Sequence, residues 1–169
     1  MKFVDWGYGK WKFDKTEIEE RLKRVLNTIR WLNKKKIYFD AIVVHGTSGT
    51  WLAPLLVMKG FDVLMVRKDG EHSHGSVIEG KTTSKHEYKH VLMIDDLICS
   101  GSTIKRVRDR LELAETPDSI NPKIVGVALH DQPYKPEQTT YGSIPIFGWF
   151  EGSAPMGPKM EPKKRQSTR

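Results

Sequence analysis

"VLMIDDLICSGSTI", residues 91 to 104, joins an unbroken apolar run to two adjacent acids and a loop of small residues. Val91 to Ile94 predict a strand buried on both faces, because a short continuous apolar run bounded by polar segments suits a covered parallel sheet. Asp95 and Asp96 follow at its carboxyl end, where neighbouring carboxylates repel each other unless a cation or several hydroxyl donors offset them. Folding alone supplies no reason for such a pair. Next, Cys99, Ser100, Gly101, Ser102 and Thr103 are small enough for the backbone to close around an anion, with N–H groups and hydroxyls as donors. "IKRVRDRLEL" (104–113) predicts a helix, which puts that anion at a helix N-terminus. A diol on the carboxylates and a phosphate on the loop together describe a ribose 5-phosphate.

Four apolar residues, two acids, two apolar residues and a small-residue loop with Gly and Thr resemble the segment with which type I phosphoribosyltransferases bind phosphoribosyl pyrophosphate (PRPP). The resemblance implies that Asp95 and Asp96 hold the ribose 2′- and 3′-hydroxyls, and that Cys99 to Thr103 hold the 5′-phosphate. It implies an α/β fold, a type I phosphoribosyltransferase-like parallel sheet flanked by helices with a small hood. The activity implied is transfer of the phosphoribosyl group from PRPP to a nucleobase, giving a nucleoside 5′-monophosphate and pyrophosphate. Mg²⁺ is the implied cofactor, held by Asp95 and Asp96 and in part through PRPP, and the implied assembly is a homodimer or higher homo-oligomer. The alternative from another class is a regulatory protein of this fold that binds PRPP or a nucleotide without turnover.

The rest of the chain agrees with one compact domain over 1–154. Its 169 residues suffice for a substantial core, and a single cysteine excludes an internal disulfide framework. No apolar run reaches the length of a membrane span, and the N-terminal "MKFVDWGYGKWKF" is too aromatic and interrupted for a signal peptide, so a soluble, cytoplasmic protein is expected. The net charge of +7 is as well explained by a substrate bearing phosphate and pyrophosphate as by nucleic acid, which is not an expected partner. Part of the excess lies in 155–169, a basic Pro-containing tail without apolar periodicity that is expected to be disordered.

Thr16 and Glu19 form a capping-box pattern ahead of a helix whose apolar positions include Leu22, Val25, Leu26, Ile29 and Leu32. "DAIVVH" (40–45), "FDVLMVR" (61–67) and "KIVGVALH" (123–130) predict further buried strands, and "WLAPLLVMK" (51–59) a short helix. Such alternation implies a parallel sheet with its ligand crevice at the strands' carboxyl ends. "HGTSGT" (45–50) leaves one of these strands, so its amides and hydroxyls can cradle a second anion. The resemblance makes Gly46, Thr47, Ser48 and Gly49 the pyrophosphate loop.

Residues 68 to 90 form a polar stretch too long for a plain connector. Here "HSHG" (72–75), after Arg67 and Lys68, resembles the Lys-Asp-His-Gly element of orotate phosphoribosyltransferases, with His72 and Ser73 in place of Lys and Asp. It implies that Arg67, Lys68 and His72 bind pyrophosphate, with Lys68 and His74 catalytic beside Asp95 and Asp96. A metal reading of His72, His74, His86, His90 and Cys99 lacks any standard zinc spacing.

The acceptor base is less legible. "HDQPYKPEQTTYGSIPIFGWFEG" (130–152) has the Pro, Gly and aromatic content of an irregular cap, and residues 1–14 and 131–154 are expected to form the hood. "IPIFGWFEG" (144–152) resembles the Ile-Pro segment before the purine-stacking tryptophan of xanthine-guanine phosphoribosyltransferases, which makes Trp149 and Phe150 base-binding. An aromatic group closing the core is the competing explanation. Cys99 stands where 6-oxopurine enzymes carry an aspartate, and a small neutral residue there suits adenine or orotate enzymes. Purine and orotate therefore both stay open.

Overall fold

The computed structural model of the chain describes residues 15–68, 78–80, 88–98, 100–113, 122–133, 139–150 and 153–157. The expected hood segment 1–14, His72, His74, His86, Cys99 and positions 158–169 of the tail lie outside the described residues. So do the side chains of Thr47, Ser48, Trp149 and Phe150.

Eight strands and four helices follow in the order α1 (Lys15–Lys34), β1 (Ala41–His45), α2 (Gly46–Thr50), α3 (Ala53–Met58), β2 (Val63–Val66), β3 (Ile78–Gly80), β4 (His90–Asp95), α4 (Ser102–Leu113), β5 (Lys123–Pro133), β6 (Thr140–Tyr141), β7 (Ile144–Phe150) and β8 (Ser153–Met156), counted among the described residues. The sheet runs β3-β2-β1-β4-β5-β7-β6, and β8 pairs with β7. Its centre, β2-β1-β4-β5-β7, is parallel throughout, while β3, β6 and β8 add antiparallel edges.

Strand residues alternate between two cores. Val43, Met93, Val127 and Leu129 pack with Ile104, Val107 and Leu111 of α4. Ile42, Val44, Leu92, Ile94 and Ala128 face the opposite way, onto Val25, Ile29 and Leu32 of α1, Leu52 at the start of α3 and Leu56 within it. Both strand faces are thus covered, which is why β1 and β4 carry apolar residues without a polar alternation. The parallel α/β architecture expected from the sequence is present.

Three local expectations differ. The capping box placed the helix start at Thr16, but α1 already includes Lys15, so Thr16 lies inside its first turn. Within the stretch 68–90, read as a polar loop, β3 pairs antiparallel with β2, Val66 opposite Ile78. The segment read as an irregular cap contributes β7 to the main sheet, with Val127 opposite Ile146. Phe147 drives that last change: it is fully buried, and its ring occupies the space where a side chain at Gly126 would stand. Pro145, which has no N–H to donate, falls just before the first parallel partner and so is tolerated.

The sheet's amino-terminal edge is held by polar contacts. The Asp40 carboxylate accepts hydrogen bonds of 2.8 Å from the N–H groups of both Lys89 and His90, tying β1 to β4. Nearby, burial and the adjacent Asp62 carboxylate, which accepts the Tyr88 hydroxyl, push the Tyr88 pKa up to about 12. A phenol with a raised folded-state pKa stabilises fully below its unfolded value of about 10, and the contribution is lost as pH climbs through the folded value. Tyr88→Phe is expected to cost about 1–2 kcal/mol at neutral pH. Melting curves of the two proteins should converge between pH 10 and 12, and a gap that persists unchanged above pH 12 would refute the linkage.

Candidate functional site

The strand order reverses between β1 and β4. From β1 the chain proceeds to β2 on one side, and β4 is inserted on the other. In open parallel sheets such a reversal leaves a crevice outside the strands' carboxyl ends, because successive connections depart to opposite sides. Val44 is level with Ile94 in the β1–β4 register, so the segments starting at Gly46 and Asp95 leave the same edge side by side. Two candidate anion-binding segments, distant in sequence, are thereby neighbours.

At the end of β4, Asp95 is almost fully buried, and Asp96 just beyond it is half-buried. The Asp96 N–H donates to Asp95 Oδ1 at 3.0 Å, and the Leu97 N–H donates to Asp96 Oδ1 at 2.9 Å. These bonds orient both carboxyl groups at the strand end. Beyond them Ile98 is anchored in the α4-side core, so the loop restarts from a fixed point. The Ser100 hydroxyl donates to Ser102 Oγ at 3.0 Å and accepts from the Ser102 N–H at 3.3 Å. Gly101 takes φ +75°, a left-handed conformation, with the Tyr141 ring filling the position of any Cβ. Its carbonyl accepts from the Lys105 N–H at 3.0 Å, opening α4 directly under the loop.

On β1, His45 is buried and its Nδ1 lies 3.0 Å from the Val66 carbonyl oxygen. A carbonyl only accepts, so Nδ1 carries the proton and the ring braces β1 against β2. "GTSGT" is a single turn of helix, α2, closed by the Thr50 hydroxyl donating to the Gly46 carbonyl at 2.7 Å. Gly46 has φ +61°, and a Cβ there would meet Lys68 Cε at 2.5 Å. Lys68 thus lies across the start of the candidate pyrophosphate segment. Arg67, expected on the same anion, has its guanidinium on the Glu79 carboxylate of β3 through Nε and Nη2. An anion would have to share Arg67 with Glu79.

Of the residues weighed as metal ligands, His90 begins β4 at the amino-terminal edge, beside Asp40 and at the opposite end of the strand from Asp95, while His72, His74, His86 and Cys99 lie outside the described residues. No group of three or more His, Cys, Asp or Glu side chains suited to a metal ion occurs among the described residues.

Asp131 was not among the residues expected at this edge. Its N–H donates to the Asp96 carbonyl at 3.1 Å, and Arg21 Nη2 of α1 lies 3.2 Å from its Oδ1. A carboxylate at the carboxyl end of a parallel strand was a usable signal, but β5 was expected to stop at His130. Farther along this edge, Trp149 is in register with Pro133, which puts its backbone two positions past Asp131.

Together these elements define an open α/β protein with a polar crevice at its switch point. No protein-family model and no curated protein matches the chain. Among solved structures it is similar to the orotate phosphoribosyltransferase of Francisella tularensis, at 21% identity over 64% of this chain and 50% of that one, with a TM-score of 0.45. A second is the orotate phosphoribosyltransferase of Aeropyrum pernix, at 14% identity over 75% and 64%, with a TM-score of 0.43. The chain spans half the length of the first and under two thirds of the second. No helix among the described residues is long and apolar enough to cross a membrane.

Proposed function

We propose that the chain binds PRPP at the β1–β4 switch point and transfers its phosphoribosyl group to a nucleobase. The observation carrying this reading is the side-by-side exit of the Gly46 and Asp95 segments from one sheet edge. In it, Asp95 and Asp96 accept the ribose hydroxyls, Ser100 to Thr103 with Cys99 receive the 5′-phosphate at the α4 N-terminus, and Gly46 to Gly49 receive pyrophosphate. Lys68 lies over Gly46, where its ammonium balances the leaving charge, and Arg67, His72 and His74 complete the anion's surroundings.

In the transfer, a ring nitrogen of the base forms a bond to C1′ as the C1′–oxygen bond to pyrophosphate breaks. The electron pair leaves with pyrophosphate, and a proton on the attacking nitrogen passes to water. Positive charge builds on the ribose ring, so the buried Asp95 carboxylate also acts electrostatically. Asp95 and Asp96 would offer Mg²⁺ two adjacent hard carboxylate ligands, oriented by the Asp96 and Leu97 N–H groups, with the remaining positions left to ligand oxygens. When bound, the ion would be held through Asp95 and Asp96 and would neutralise charge on the departing pyrophosphate.

Calorimetric titration with PRPP, with and without Mg²⁺, followed by a pyrophosphate-release assay over a panel of bases, tests the proposal. Saturable PRPP binding with base-dependent pyrophosphate release is expected. Failure to bind PRPP under either condition would refute it.

A further inference from the structure

Beside the acid pair lies a groove of about 330 Å³, lined by Thr16, Glu17, Glu20, Arg21, Arg24 and Asp131. It opens between the first turns of α1 and the carboxyl end of β5, and the Asp131–Asp96 backbone bond couples its floor to the candidate ribose site. That volume is near the lower end for small-molecule sites, enough for a single flat heterocycle.

Its charges are already arranged in pairs. Arg21 is almost completely buried, and its Nη2 contacts both Glu17 Oε1 at 2.5 Å and Asp131 Oδ1 at 3.2 Å. Arg24 reaches Glu20 at 3.7 Å and donates from Nη1 to the His130 carbonyl at 3.2 Å. Three carboxylates therefore face two guanidiniums. An incoming carboxylate would meet net negative charge and would have to dislodge a residue from an ion pair. An N–H donor extends the same network, because a carboxylate oxygen already facing an arginine retains further acceptor capacity. Asp131 is the member best placed to read such a donor, being 39% exposed, anchored by a buried arginine and adjacent to Asp96.

We infer that the acceptor is a neutral heterocycle presenting amino N–H donors, with Asp131 as the specificity-determining residue, and that a carboxylate-bearing base is rejected. The inference rests on the phosphoribosyl transfer proposed above. Sites built around a hydrogen bond discriminate strongly because a wrong ligand leaves their polar groups unmatched.

Pyrophosphate release from PRPP and Mg²⁺ is measured with adenine and guanine against orotate and nicotinate, alongside calorimetric binding of PRPP. Turnover is expected with an amino-bearing base and not with either carboxylate. Asp131→Asn should raise the KM for that base about ten- to a hundredfold while leaving the KM for PRPP and the melting temperature close to wild type, and Asp131→Glu should recover part of the loss. A purely structural Asp131 would move both KM values and the melting temperature together, which would overturn the assignment. If Asp131→Asn does not fold, Glu20→Gln, on the exposed rim of the groove, should raise the base KM alone, and no change there overturns the inference. Turnover on orotate or nicotinate overturns it while leaving phosphoribosyl transfer intact. PRPP binding without turnover on any base removes the acceptor assignment and leaves the PRPP site, whereas absence of PRPP binding removes both.

Discussion

Asp95→Asn combined with Asp96→Asn is expected to lower PRPP affinity by roughly a hundredfold or more, since each lost charge-assisted hydrogen bond is worth about 1.5–3 kcal/mol. The fold should survive. Neither side chain belongs to the apolar clusters, and the Asp96 and Leu97 N–H groups that they orient can be accepted equally by amide oxygens. Removing two like charges from one strand end should also hold or raise the melting temperature. Calorimetry and a melting curve on the double variant provide the check, and wild-type PRPP affinity in a folded double variant would dismiss the ribose assignment.

Gly101→Ala is expected to disable the proposed phosphate loop while sparing the sheet. Its φ of +75° costs an L-residue about 1–2 kcal/mol, before any contact is counted. The new methyl would also collide with the Tyr141 ring, which is held by the α4-side core and cannot simply swing away. PRPP affinity should fall more than about tenfold, the equivalent of the backbone cost alone. Adding Tyr141→Leu to Gly101→Ala should restore part of the loss and leave the backbone component. Failure of the second substitution to recover any affinity would mean that the ring does not position the loop.

The crevice was legible in the sequence because two signals coincide there. Val91 to Ile94 form an apolar run that only a doubly covered strand explains, and Asp95 to Thr103 place acids, glycine and hydroxyls at its exit. What the sequence concealed depends on distant partners. Phe147 reads locally as part of a Pro- and Gly-punctuated cap, and becomes a strand residue only because Gly126 leaves room for its ring. Ile78 to Gly80 are too few to show any period, and pair with β2 through Val66 and through the Arg67–Glu79 contact. Asp131 is an ordinary post-strand acid until β5 is laid beside β4 and its N–H meets the Asp96 carbonyl.

The insertion of β4 between β1 and β5 also bears on the order of folding. Ile42 pairs with Leu92 and Asp40 with His90, about fifty positions apart, so β1 and β4 meet only after a long stretch of chain has been closed. Local steps such as forming α1 or α4 are expected to precede that event, since non-local pairings carry a loop-closure cost that nothing repays until they form. Neither half of the crevice is complete on its own: the Gly46 turn and the acid pair become neighbours only when β1 and β4 pair. Acquisition of the proposed PRPP binding during refolding is expected to coincide with the slowest non-local phase, so ligand capture would double as a clock for completion of the sheet.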